Sequence, residues 1–174
     1  SLFWLSNLFG GGVWTRILHP FLGLAMFLFF LWLVMRFAGH NRLEARDRQW
    51  LAQWRDVISN REERLPPVGR YNAGQKLLFW VLLLCMLVLL ATGIVMWRQY
   101  FSHLFGIELI RLASLLHAAA AWGLIICIIV HVYAGIWVKG SIGAMLNGWV
   151  SRGWARKHHA AWYEEVSKDN HKRH

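Results

Sequence analysis

Residues 115–141, LLHAAAAWGLIICIIVHVYAGIWVKGS, place two histidines, His117 and His131, inside an almost unbroken apolar run. An imidazole moved out of water loses hydrogen bonds that something else must replace. The run extends over 109–138, longer than the roughly 20 residues a helix needs to cross a bilayer. Two further runs, 17–37 and 77–97, reach the same length. The chain is 57% hydrophobic and 15% aromatic, with twelve tryptophans and a net charge of +10. A soluble domain does not combine those features. The fold class read from this pattern is all-α. It is a polytopic membrane helix bundle forming a single domain over 1–174, with three spans at about 17–38, 75–98 and 109–138.

Positive charge is distributed by side. Arg42, Arg46, Arg48, Arg55, Arg61, Arg64, Arg70 and Lys76 crowd the segment between the first two spans, and Lys139, Arg152, Arg156, Lys157, Lys168, Lys172 and Arg173 follow the third. The opposite loop, 98–108, is nearly bare of lysine and arginine. The positive-inside rule then puts loop 39–74 and the tail 139–174 on the cytoplasmic side of the membrane. This excess needs no nucleic acid as partner. Basic juxtamembrane residues meet anionic lipid head groups, at about 1 kcal/mol each near the surface. Within the loop, RLEARDRQWLAQWRDVIS (42–59) alternates charge with Leu43, Trp50, Leu51, Trp54, Val57 and Ile58. That spacing predicts one cytoplasmic amphipathic helix lying at the interface. The segment SLFWLSNLFGGGVW (1–14) has no basic n-region and no A-x-A-like site, so it reads as the continuation of something ahead of it rather than as a secretory signal. Cys85 and Cys127 lie mid-span and read as small apolar packing residues.

Of nine histidines, His19, His117 and His131 fall where a bilayer would bury them. Intramembrane ionisable groups usually face a bundle interior and mark function, although a neutral imidazole bonded to a nearby carbonyl or hydroxyl is the plain structural alternative. Fourteen residues separate His117 from His131, which leaves their side chains roughly 40° apart and about 21 Å apart along a helix. One metal cannot use both; two stacked haems can. His19, near the outer start of the first span, reaches a depth similar to that of His117, and a haem iron between the two is sterically reasonable. Pro20 suits a helix beginning near Ile17, where its missing N–H falls in the first turn. Each histidine has a small residue one turn on (Gly23, Ala121, Gly135), which admits a flat macrocycle and equally admits close helix packing. Ser114 is in reach, on spacing, of the other ring nitrogen of His117. No C-x-x-C-H occurs, so any haem is b-type. H-E-x-x-H, G-x-S-x-G and Walker signatures are missing, and no acidic residue sits mid-span.

The blocks TRILHPFLG (15–23), VGRYNAGQKLLFW (68–80), TGIVMWRQYF (92–101), LLHAAA (115–120), HVYAGIWVKGSIGAM (131–145) and VSRGWARKHHAAWY (150–163) carry a resemblance. Over nearly its whole length the chain resembles the gamma subunit, cytochrome b, of membrane-bound respiratory formate dehydrogenases. The resemblance implies an assembly with a molybdopterin catalytic (alpha) subunit and an iron–sulfur (beta) subunit, the heterotrimer forming a higher oligomer. It implies two haem b groups, with His19 and His117 as axial ligands of the outer one and His131 as one ligand of the inner one. It also implies a menaquinone site near the inner haem that includes Asn72, Gly74 and His131. Asn72 offers a donor and an acceptor to a quinone carbonyl, and Gly74 lets the backbone come close. YNAG also suits a helix N-cap, and the two roles are compatible.

The resemblance also implies an additional first membrane helix whose histidine completes the inner haem, and no such helix is found in these residues. His131 is therefore expected to lack a partner here: the helix lies ahead of this sequence, or another chain donates it, or the inner haem is absent or differently ligated. His40, the in-chain alternative, falls past the end of its helix while His131 lies about 10 Å inside its own. The function expected is electron transfer from the iron–sulfur partner through haem b to quinone, with formate oxidised on partner subunits. A dihaem cytochrome b of a hydrogenase or thiosulfate reductase, and a haem-free membrane anchor, are the rival readings.

Overall fold

A computed structural model describes residue 7 and residues 11–59, 61–138 and 140–172. The described residues form helices and connecting turns, in the order α1 (Gly12–Phe37), α2 (Ala45–Ala52), α3 (Trp54–Ile58), α4 (Ala73–Met96), α5 (Ile107–Trp137), α6 (Ser141–Asn147), α7 (Arg152–His158) and α8 (Ala160–Lys172). Short 3-10 turns at Ala38–Asn41, Glu62–Arg64 and Ser102–Leu104 join them. α1, α4 and α5 are long and apolar enough to cross a membrane. An all-helical chain follows from the solvent: hydrocarbon offers no partner for a backbone N–H or C=O, so each span must satisfy its own. Hardly any of their side chains are buried against protein. Phe29, Trp32, Leu84, Leu115, Trp122 and Ile129 are among many large apolar groups left exposed, as a lipid-facing surface requires. α5, at 31 residues, is about 46 Å long, so it tilts or projects beyond a hydrocarbon core of roughly 30 Å.

The helix limits differ from the sequence reading at one informative place. α1 begins at Gly12, not near Ile17, which puts Pro20 in the helix interior. Thr15 Oγ1 and Arg16 Nε bond back to the carbonyls of Gly11 and Gly12, at 3.1 and 3.0 Å, and these contacts support the extra turn. Having no N–H, Pro20 leaves the Arg16 carbonyl without its usual intrahelical donor. The amphipathic segment likewise forms two short helices, α2 and α3, broken at Gln53. Its apolar groups Leu43, Leu51, Trp54 and Ile58 are exposed, in keeping with a surface against lipid.

The chain folds as two compact units. One gathers the residues up to Arg36 with Leu82–Ile126; the other gathers Phe37–Val81 with the chain from Cys127 onward. In the first, Trp97 packs edge-on against Phe21 and Tyr100, each with centroids 5.2 Å away, an aromatic cluster of the kind found at a membrane–water boundary. In the second, the start of α4 is held by three side-chain contacts. Trp80 Nε1 donates to the Asn41 carbonyl at 2.8 Å. Lys76 Nζ donates to Asp47 Oδ2 at 2.8 Å, with Glu44 Oε1 at 3.5 Å. Trp50 lies against Gly74, whose absent Cβ would sit 3.4 Å from the indole edge. Glu44 and Asp47 also form a capping box that starts α2, so one carboxylate both begins a helix and binds the lysine.

The tail closes on the same region through His159 Nδ1 and the Gly69 carbonyl at 2.8 Å, and through Ala161 N donating to Val68 O at 3.1 Å. Gly140 precedes α6 with φ +92°, and a Cβ there would stand 2.7 Å from Trp154 Nε1, so only glycine fits.

Lys76 and Asp47 are 3% and 5% exposed. Cutting one partner of such a pair leaves a buried charge uncompensated, which costs about 3–5 kcal/mol. Lys76→Met or Asp47→Asn is expected to lower the thermal midpoint of the detergent-solubilised protein clearly, and the Lys76→Met/Asp47→Leu double variant to lose less than the sum.

Candidate functional site

Three intramembrane histidines were expected to carry the chemistry, and the structure brings two of them together. His19 on α1 and His117 on α5 face each other with ring centroids 6.1 Å apart and planes at 71°. With metal–imidazole bonds of roughly 2.0–2.1 Å and a ring radius of about 1.1 Å, two imidazoles trans to one metal have centroids about 6.3 Å apart. The observed spacing therefore suits two ligands of a single iron. Beside His19, a recess of about 260 Å³ is lined by Thr15, Leu18, Leu22, Gly23 and Met26. Gly23, one turn from His19, would meet nothing within 4 Å if it carried a Cβ, so the small-residue position does face open space. Among the described residues no group of three or more His, Cys, Asp or Glu side chains gathers.

The partner of His117 is Thr92, not Ser114. Thr92 Oγ1 lies 2.8 Å from His117 Nδ1, and it also lies 2.6 Å from the Val88 carbonyl one turn back in α4. The shorter contact takes the single hydroxyl proton to the Val88 carbonyl, and with that assignment the threonine oxygen accepts from Nδ1–H of a neutral ring. Nε2 is left with its lone pair, the state a metal ligand needs. Ser114 is exposed. The sequence signal for Thr92 is slight: a hydroxyl residue within an apolar span, which ordinarily bonds its own helix.

His131 stands apart from that pair. It is exposed on α5, and among the described residues neither His40 nor any other side chain is in hydrogen-bond or ring contact with it. Gly135, one turn on, faces the Met145 methyl group, 3.8 Å from where a Cβ would be.

Asn72 and Gly74 open α4. Gln75 N donates to Asn72 Oδ1 at 2.8 Å and Asn72 N donates to Gln75 Oε1 at 2.9 Å, a reciprocal cap. The cap takes up the side-chain oxygen and leaves the amide NH₂ of Asn72 without a partner among the described residues. Of the donor and acceptor anticipated from the sequence, the donor is thus the free one. The space left by Gly74 is filled by Trp50. Trp50, Asp47 and Lys76 surround this motif and were missed as a group, because contacts 24 to 29 residues apart in sequence leave no local pattern.

Comparison with known proteins follows the same lines. The family model described as prokaryotic cytochrome b561 matches residues 1–148. The nitrate-inducible formate dehydrogenase cytochrome b556(Fdn) subunit of Escherichia coli (strain K12) is 44% identical over 168 residues, covering 97% of this chain and 77% of the relative. The formate dehydrogenase cytochrome b556 subunit of Haemophilus influenzae is 46% identical over 162 residues, 93% of this chain and 68% of the relative. The cytochrome b556(fdo) subunit of the Escherichia coli (strain K12) formate dehydrogenase is 43% identical over 173 residues, 99% and 81% of the two chains.

The capping role of Asn72 is tested by substitution. Asn72→Asp keeps an N-cap acceptor and should hold stability, whereas Asn72→Ala should lose about 1 kcal/mol of it, as read by thermal unfolding.

Proposed function

The chain belongs to the prokaryotic cytochrome b561 family, and from that membership we propose that it is the b-type cytochrome subunit of a membrane-bound formate dehydrogenase. In this reading it anchors the complex and carries electrons from a periplasmic iron–sulfur subunit to menaquinone near the cytoplasmic face. The observation that carries it is the His19–His117 pair at single-iron spacing. Similarity to cytochrome b556 subunits over nearly the full chain supports it.

His19 and His117 would hold the outer haem b, and His131 one side of an inner one. Haem b, when bound, supplies one-electron exchange at iron in a site from which water is excluded. The chain's own residues do the rest. Thr92 accepts the Nδ1 proton of His117 and so presents Nε2. The lipid-facing apolar surfaces of α1, α4 and α5 keep the site dry. Asn72, Gly74 and His131 would form the quinone site, where the free Asn72 amide donates to a carbonyl oxygen and the Trp50 edge at Gly74 provides an apolar wall.

The excess of lysine and arginine in loop 39–74 and in the tail supports placing both in the cytoplasm. Quinone protons would then come from that side. Charge moved inward across the membrane is worth about 2.3 kcal/mol per elementary charge per 100 mV, so the arrangement would store energy. Formate oxidation belongs to a molybdopterin partner subunit, with the iron–sulfur subunit between, and the heterotrimer is proposed to form a higher oligomer.

Haem content per chain tests this. The intact complex should show a b-type α band in its reduced-minus-oxidised spectrum and two haems per chain. His19→Ala and His117→Ala should each remove one haem, and His131→Ala the other. An intact complex without b-type absorption would leave only a haem-free anchor.

A further inference from the structure

We infer that the Thr92 hydroxyl is a positioning residue for the iron ligand His117, fixing the rotation of its ring and raising its electron donation to iron. The inference rests on the haem reading above and deepens it at one atom. Thr92 is 7% exposed, inside a helix that is otherwise almost wholly apolar. A threonine in a span ordinarily satisfies itself on the carbonyl one turn back, as Thr92 does on Val88 O at 2.6 Å, with Leu89 O at 3.4 Å. Its oxygen, however, also meets an imidazole 25 residues away in sequence and on another helix, at 2.8 Å.

The shorter contact decides the direction of each bond. The hydroxyl has one proton and donates it to Val88 O at 2.6 Å rather than to His117 Nδ1 at 2.8 Å, so its oxygen accepts from Nδ1–H. The result is a two-bond chain from imidazole to hydroxyl to carbonyl, inside hydrocarbon where each bond polarises the next. Three consequences follow for a ligand nitrogen. The tautomer is set, with the lone pair on Nε2. Rotation about the ring's bond to its helix is stopped, since turning would strand Nδ1–H where no water can reach it. The imidazole becomes more basic, as outer-shell acceptors make metal-bound histidines, and a more basic ligand favours ferric over ferrous iron. The ring also lies against the α4 backbone at Gly93, where a Cβ would stand 3.6 Å from His117 Cε1, ordinary van der Waals contact.

The test uses the complete complex in membranes with Thr92→Val, which keeps the shape and removes the acceptor, and Thr92→Ser, which keeps the oxygen and removes the methyl group. Redox titration of the α band and low-temperature EPR of the low-spin haem are the readouts. Thr92→Val should lower the ferric-to-ferrous ratio of the outer haem about tenfold at a fixed ambient potential, equal to 59 mV for a one-electron couple. Its g-values should also change as the ring turns, and Thr92→Ser should restore both. Loss of the outer haem in Thr92→Val with retention in Thr92→Ser supports the same role. Thr92→Ala removes the oxygen without adding bulk and is read in the same way. Wild-type potential and g-values in Thr92→Val would overturn the inference. So would a Thr92→Ser variant as disturbed as Thr92→Val, since the methyl group and not the oxygen would then hold the ring. His117→Ala marks what absence of the outer haem looks like. A wild-type complex free of b-type haem would sink the haem reading itself, whereas a haem-replete complex indifferent to Thr92→Val would sink only this inference.

Discussion

Hydrocarbon provides no hydrogen bonds, and a polar group placed in it must find its partner within the protein or on a bound group. That constraint organises the molecule. It makes α1, α4 and α5 unbroken helices, and it sends the Thr92 hydroxyl to Val88 O. It also assigns the Nδ1 proton of His117 to the threonine oxygen. One ring nitrogen remains, and the His19 imidazole lies close by, its centroid 6.1 Å from that of His117. In water neither the tautomer nor the facing arrangement would persist, because solvent would satisfy both rings equally well.

The second unit answers the same constraint at its polar edge. Lys76 sits at the start of an apolar span, where a bare ammonium would be costly, and Asp47 and Glu44 reach it from the preceding loop. Trp80 reaches a loop carbonyl and Trp50 fills the space at Gly74, so the loop is fastened to the first turns of α4 on three sides. This fastening holds the Asn72 cap in place with its amide free. Ion pairing and indole packing thus give this donor a rigid frame.

Much of this was legible in the chain itself. Three apolar runs of membrane length gave three helices, and the apolar setting of His19, His117 and His131 singled them out as candidate ligands. The family resemblance quoted from TRILHPFLG, YNAGQK and HVYAGIWVKG was matched by relatives named as formate dehydrogenase cytochrome b556 subunits. Other points were not legible. Pro20 suggested a helix start near Ile17, yet the helix begins five residues earlier, at Gly12, where the Thr15 and Arg16 side chains bond the Gly11 and Gly12 carbonyls of its first turn. Ser114 suggested itself by local spacing, and the real partner lay on another helix. The amphipathic loop broke at Gln53 instead of running through.

The sequence by itself determined the helical class and the number of long apolar helices, since composition and period decide what can lie in a bilayer. Only the tertiary structure decided that His19 lies beside His117, that the Thr92 hydroxyl meets His117 Nδ1, and that Lys76 is neutralised by Asp47. Those are pairings between distant parts of the chain. Their energies depend on distances of a few ångströms across helix–helix and loop–helix contacts, and no local run of residues encodes such a distance.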